Sequence, residues 1–193
     1  MIRNGKQSRF RWLEDKMTAP LNIDVACTGP KTIQMAAEVA DRISFAVGST
    51  PAQLEWAVSV AENHLKEIGR PRESIQIGAY RHIVSDTDEQ NAINLGRMIA
   101  GMVAHFAGIK GAPLNHLPKS LKSIAKKLRD GYDMAKHSQH TGNHLQLISD
   151  DFVDWFSTCG SAEKCASRLR KLTDLGLQHV YQLGGSPIAE PHG

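Results

Sequence analysis

The sequence has few of the features that mark membrane, secreted or disulfide-stabilised proteins. No apolar stretch in its 193 residues approaches the roughly 20 residues that a membrane-spanning helix needs. The basic residues near the start are not followed by an apolar segment, which argues against a secretory signal. Cys27, Cys159 and Cys165 are odd in number and widely spaced, which argues against a disulfide framework or a zinc knuckle. We therefore expect a cytoplasmic protein.

The sequence also lacks a large excess of charge of one sign, since the net charge is only +3. One basic cluster stands out, and it comprises Lys119, Lys122, Lys126, Lys127 and Arg129. Such a cluster can bind nucleic acid or another anionic ligand. A solvated helix face is the more common origin of this pattern, and we expect no nucleic-acid partner.

What the sequence does contain is an alternation of short apolar strands and amphipathic helices. Strands are predicted at 21–27, 43–47, 75–84 and 179–183, with helices between them. Asp86 is expected to cap a long helix, and 158–160 is expected to be a loop. Strands that alternate with helices indicate an α/β fold with a parallel sheet. About four such units make half of a (β/α)₈ barrel, which normally needs roughly 250 residues.

The sharpest local feature is the corner where the strand at 21–27 meets Thr28, Gly29, Pro30 and Lys31. Pro30 suits the first turn of a helix. A helix that begins here leaves backbone N–H groups unpaired, and with the helix dipole these form an anion site. Gly29 would allow a ligand to approach closely and would permit unusual backbone angles. A plain turn before a helix explains the same residues, and the residues alone favour neither interpretation.

Other candidate chemistry is weaker. His137, His140 and His144 have spacings that could ligate a metal on a helix, but Gly142 and Asn143 interrupt that helix. No carboxylate or cysteine pattern completes a metal site, so we predict none.

The corner resembles part of a known family. The segment VACTGPKTIQMAAEVADRISFAVG, residues 25–48, resembles the A-x-x-G-P-[KR]…A-x-E-x-A-D-G segment of the luciferase-like monooxygenase superfamily. Arg42 stands where that family usually has glycine. Residues 130–187 resemble the end of the branch that uses the deazaflavin coenzyme F420. They show Y-D-M…H, then D-D-[FL]-[IV]-D-x-F, then G-x₄-C-x₂-R-L-x₂-L-x₂-L-G-L.

The resemblance covers only part of a family member. Residues 4–23 resemble the internal segment that leads to the fifth barrel strand, so the chain is similar to the C-terminal half, strands five to eight. We accordingly divide the chain into a lead-in segment at 1–20, a partial barrel at 21–187 and a tail at 188–193. A truncated reading frame, a half-barrel that associates with itself or with a separate N-terminal half, and a decayed homologue would each explain this.

The resemblance implies a hydride-transfer or monooxygenation function in which this chain binds the cofactor and a small-molecule substrate is transformed. Cys27, Thr28, Gly29, Pro30 and Lys31 would hold part of the phosphate-bearing tail of coenzyme F420, or of FMN as the alternative. The proton-transferring residues of the family lie mostly on the first strands, so no catalytic residue is assigned here. A non-catalytic, self-associating half-barrel is the remaining alternative.

Overall fold

The computed structural model describes residues 2–3, 6–7, 21–107, 118–131 and 143–183. Their strands are β1 (Ile2–Arg3), β2 (Lys6–Gln7), β3 (Asp24–Cys27), β4 (Arg42–Phe45), β5 (Gln76–Ser85), β6 (Thr158–Gly160) and β7 (His179–Leu183). Their α-helices are α1 (Pro30–Val39), α2 (Pro51–Glu67), α3 (Glu89–Ala107), α4 (Lys119–Gly131), α5 (Asp150–Phe156) and α6 (Ala162–Thr173). Short 3₁₀ turns span Arg72–Ser74 and Asn143–Leu147. Most of the lead-in segment, the 188–193 tail, and the metal candidates His137 and His140 lie outside the described residues.

The main sheet is parallel, which confirms the predicted α/β class. Strands β3, β4 and β5 lie side by side in chain order, each parallel to the next. Strand β5 is long enough to pair with two more parallel strands besides β4. It pairs with β7 along Gly78–His82 and with β6 along Ile83–Ser85. Strands β1 and β2 form a separate antiparallel pair.

Successive side chains of these strands point to opposite faces of the sheet, and one of the two faces packs against helices. On that face the buried residues of the strands, such as Ile43, Phe45 and Ile77, form one apolar cluster with α1, α2 and Leu172 of α6. A second apolar cluster joins α3, α4 and α5 beyond the carboxyl end of β5. The helices therefore cover one face of the sheet, and the other face carries the polar residues described below.

The segment Thr158–Gly160 is strand β6, so the prediction of a loop there is wrong. Its residues pair with Ile83, Val84 and Ser85 of β5, and all three are buried. A three-residue strand that ends in glycine has no alternating pattern, so the sequence alone cannot distinguish it from a loop. Among the described residues the main sheet therefore has five strands where about four were expected.

Helix α3 is capped by a different aspartate from the one predicted. The Asp88 carboxylate accepts hydrogen bonds from the backbone N–H groups of Gln90 at 2.9 Å and Asn91 at 3.2 Å. The Asp86 carboxylate instead accepts the N–H of Asp88 at 2.9 Å, in the turn before the helix. Both aspartates follow the strand, and the turn between them decides which one reaches the first helical turn.

The basic helix α4 is amphipathic. Leu121, Ala125 and Leu128 are buried in the second apolar cluster. Lys119, Lys126 and Lys127 are exposed. The lysines thus occupy the outer side of an amphipathic helix whose apolar side packs on the protein.

Candidate functional site

The corner between β3 and α1 is open at the point where a helix attracts anions. Gly29 is the N-cap of α1, and no side chain of the described residues caps the helix. Pro30 has no N–H, and the Ile33 N–H bonds to the Gly29 carbonyl at 3.0 Å. The N–H groups of Lys31 and Thr32 remain as donors of the first turn, beside the partial positive charge of the helix dipole.

Gly29 itself has an ordinary backbone conformation. Its φ of −154° and ψ of 168° are extended values that any residue adopts, so the freedom of glycine to take unusual backbone angles is not used here. A Cβ built on Gly29 would meet no atom of the described residues within 4 Å. What the glycine leaves at this corner is therefore free space at the start of the helix.

The next corner along the sheet shows what a closed helix start looks like. Thr50 and Gln53 form a capping box at the start of α2, in which Thr50 Oγ1 accepts from the Gln53 N–H. Gln53 Oε1 accepts from the Thr50 N–H at 3.3 Å and is buried with its side chain. Both helices begin with proline after a strand and a glycine, yet only the start of α1 is left without a side-chain cap.

The five residues predicted for the site do not all contribute in the same way. The Cys27 side chain is fully buried in the helix-side core, and its thiol lies 3.5 Å from the Thr32 carbonyl oxygen. Burial, followed by the charge of Asp24, raises the pKa of Cys27 to about 12, so the thiol stays neutral. Thr28 is half-buried and Lys31 is exposed. Cys27 can therefore face a ligand at this corner only through its backbone, because its side chain is buried.

A polar cluster that the sequence did not reveal lies on the opposite face of the sheet. The Ser44 hydroxyl is fully buried and lies 2.9 and 3.0 Å from the two Asp24 carboxylate oxygens. The same oxygen lies 3.0 Å from His179 Nε2. Because the hydroxyl has one proton and donates it to Asp24, it accepts from Nε2–H. Three strands thus contribute one residue each to a hydrogen-bonded chain.

Aromatic rings and one arginine enclose this cluster. The Tyr181 ring packs edge-on against His179 with centroids 5.2 Å apart, and Tyr80 stacks on Tyr181 at the same separation. Arg42 donates to the Tyr181 hydroxyl at 3.3 Å and to Gln76 Oε1 at 2.7 Å. These residues alternate with apolar ones in their strands, which is the ordinary pattern of a strand and does not mark a site. The cluster could not be predicted because it depends on the pairing of β7 with β5, which brings His179 beside Ser44.

We expect His179 to titrate below its usual pKa of 6.5. Burial is the main cause, and the Arg42 charge adds to it, while Asp24 opposes both. The Asp24→Asn variant should lower the pKa of His179 further, because it removes the carboxylate that favours the imidazolium. Histidine-resolved NMR titration measures this, and a rise in the variant would contradict it.

The same titration contains an internal reference and has a consequence for stability. The pKa of His64 is raised, chiefly by its hydrogen bond with Glu38, so the two histidines should move in opposite directions. For His179 the folded pKa lies below the unfolded one. Its contribution to stability is therefore present above pH 6.5 and is lost as the pH falls towards the folded pKa.

Neither a metal-binding group nor a membrane-spanning helix is found among the described residues. Within them, no three His, Cys, Asp or Glu side chains are grouped closely enough to hold a metal ion. The side chain of His144, the third histidine of the predicted patch, is not among those described. In the described ranges, no helix is long and apolar enough to cross a membrane.

Curated proteins include relatives that are similar to most of this chain in sequence. The 5,10-methylenetetrahydromethanopterin reductase of Methanolobus tindarius is 26% identical over 166 residues, which are 86% of this chain and 48% of the relative. The reductase of Archaeoglobus fulgidus is 25% identical over 168 residues, with the same two coverages. The chain thus spans about half the length of the curated relatives that it matches.

Two solved structures share the fold of this chain. The coenzyme F420-dependent tetrahydromethanopterin reductase of Methanopyrus kandleri superposes with a TM-score of 0.59 and 22% identity, over 83% of this chain and 44% of that one. An F420-dependent secondary alcohol dehydrogenase, in complex with an F420–acetone adduct, superposes with a TM-score of 0.63 and 18% identity, over 88% and 45%. At these identities the likeness shows the fold.

A family model matches most of the chain. The model of the luciferase-like monooxygenases matches residues 5–179, which include the open corner of α1, strands β3 to β6 of the main sheet and helix α6, and the match ends at the first residue of β7. The parallel sheet with helices on one face is half of the barrel seen in the two superposed enzymes. The chain belongs to the luciferase-like monooxygenase family.

Proposed function

We propose that this chain is the cofactor-binding half of a coenzyme F420-dependent oxidoreductase of its family. The observation that carries the proposal is the open, uncapped start of α1 at Gly29, within the segment that the family model matches. The reductase of Methanopyrus kandleri, which shares the fold, is coenzyme F420-dependent, and this supports a deazaflavin as the cofactor. In this proposal the corner holds part of the phosphate-bearing tail of the cofactor.

The residues at the corner fit a phosphate by their chemistry. The backbone N–H groups of Lys31 and Thr32 would donate to its oxygens, and the helix dipole favours the negative charge there. The exposed Lys31 ammonium can add charge, and the Thr28 hydroxyl can add a donor. Gly29 would leave room for the phosphate, and the Cys27 backbone would end the strand at the ligand. Pro30 would start the helix without contributing a donor.

A bound deazaflavin would supply hydride transfer to or from a small organic substrate. This chain's part is to anchor the cofactor tail and to shield one side of the site from water. No proton-transferring residue is assigned to it, because the family's residues for that role lie mostly on the strands that this chain does not match. The substrate stays unassigned for the same reason.

Completion of the site would need further polypeptide in this proposal. The chain spans 48% of the two curated reductases, and a half-barrel has open strand edges. A separate N-terminal half, or a second copy of the chain, would pair with those edges. Catalysis by the isolated chain is therefore not expected, although binding of the cofactor tail is.

Direct titration tests the proposal and separates the two cofactors. Purified chain is mixed with coenzyme F420 and, in parallel, with FMN, and binding is followed by cofactor fluorescence and calorimetry. We expect micromolar binding of F420 and weaker binding of FMN. Tighter binding of FMN would support the flavin-dependent alternative. Absence of binding by both, even with an added N-terminal half, would refute the proposal.

A further inference from the structure

A cavity of about 640 Å³ lies away from the α1 corner, between the start of α2 and helices α5 and α6. Thr50 and its neighbours form one wall, and Trp155 of α5 forms another. The third wall is one side of α6, with Lys164, Arg168 and Lys171 at successive turns. Cavities of this size hold small organic molecules.

The cavity wall has more positive than negative charge. Arg168 pairs with the Asp154 carboxylate, and Lys164 Nζ lies 3.2 Å from Glu89 Oε2. Lys171 has no hydrogen bond or ion pair with any described residue. The Lys171 ammonium, which has no partner among the described residues, thus lies on the same side of α6 as Arg168 and Lys164. Each of these two is paired with one carboxylate of its own.

A buried arginine behind the cavity adds to this excess. Arg81 is 1% exposed, and its guanidinium donates to the carbonyls of Gly48 and Ser49, the latter at 2.7 Å. Its Nε is buried without any acceptor among the described residues. Burial and then the charge of Arg168 lower the pKa of Arg81 to about 9. A buried cation without a carboxylate partner is costly, and a nearby anion would reduce that cost.

We propose that this cavity binds a small polyanion, recognised through phosphoryl or carboxylate oxygens by Lys164, Arg168 and Lys171. Arg81 would act from behind the cavity wall through its charge. Trp155 and Leu172 provide an apolar surface for the body of the ligand. The proposal does not depend on the cofactor corner, because the cavity is lined by other elements than β3 and α1.

The test uses the whole purified chain with pyrophosphate and citrate as separate probes in calorimetric titrations. The two probes distinguish phosphoryl from carboxylate recognition, and saturable binding of either supports the site. The Lys171→Glu variant should weaken that binding at least about tenfold, because it reverses the charge of the unpaired ammonium. Arg170→Glu is the matched control, since Arg170 is exposed on the same helix and does not line the cavity.

A second variant keeps the test independent of one position. Lys164→Gln should also weaken binding, and the melting temperature of each variant shows whether it is folded. Absence of saturable binding of both probes at millimolar concentration overturns the proposal. An equal loss in Arg170→Glu and Lys171→Glu also overturns it, because it would reflect the general charge of the surface.

Discussion

Replacement of Gly29 by valine is expected to weaken the proposed binding of coenzyme F420 at least about 100-fold, which corresponds to about 3 kcal/mol. A valine side chain would fill the free space at the start of α1 and would hold a phosphate away from the N–H groups of Lys31 and Thr32. The extended backbone of Gly29 accepts valine without strain. The same titrations as for the unmodified chain measure the effect.

The fold should survive this change, since a Cβ at Gly29 meets no atom within 4 Å in the described ranges. Valine is a poorer N-cap than glycine, so we expect a loss of stability of about 1 kcal/mol. Gly131→Val is the matched control, because Gly131 is exposed and its Cβ would also meet no atom of the part of the chain that the structure describes within 4 Å. Unchanged F420 affinity in Gly29→Val would remove the corner from the proposed site.

Replacement of Gly78 by alanine is expected to have the largest effect on stability. A Cβ at Gly78 would overlap the carbonyl oxygen and the ring of His179. The two residues are partners in the parallel pair of β5 and β7, so the added methyl group pushes against backbone that cannot move alone. We expect a loss of about 3 kcal/mol in the free energy of unfolding.

Thermal unfolding measures this loss, which for a chain of this size corresponds to a fall in melting temperature of roughly 6–12 °C. Gly131→Ala makes the same chemical change in open space and should alter the free energy of unfolding by less than about 1 kcal/mol. The Gly78→Ala variant should also displace the His179 ring from Ser44. A variant as stable as the parent would show that β7 does not pack on β5 as described.

Much of the fold could be predicted because its elements are locally encoded. Strands β4, β5 and β7 lie within two residues of the predicted bounds, and proline and glycine mark the helix starts and ends correctly. Strand β3 begins later than expected, at Asp24, and Ile23 before it is exposed. Apolar residues at the edge of a sheet give the same pattern as buried ones, so the sequence could not tell where burial begins.

The α1 corner and the polar cluster differ in how far the sequence could predict them. Thr28, Gly29 and Pro30 are consecutive, so their order alone indicated a strand, a turn and a helix start. Asp24, Ser44 and His179 lie on three strands, and their contact depends on parallel pairing across a sequence separation of 135 residues between Ser44 and His179. No local pattern marks a residue whose partner is so distant.

By itself, the sequence determined the α/β class, the order of the main elements and the family, because periodicity, turn residues and motifs are written in neighbouring positions. Only the tertiary structure decided that the start of α1 is open while that of α2 is closed, since the difference rests on the Gln53 side chain folding back on Thr50. It also decided that the Arg81 guanidinium is buried against the carbonyls of Gly48 and Ser49. Both outcomes depend on distances between elements, which the order of residues does not specify.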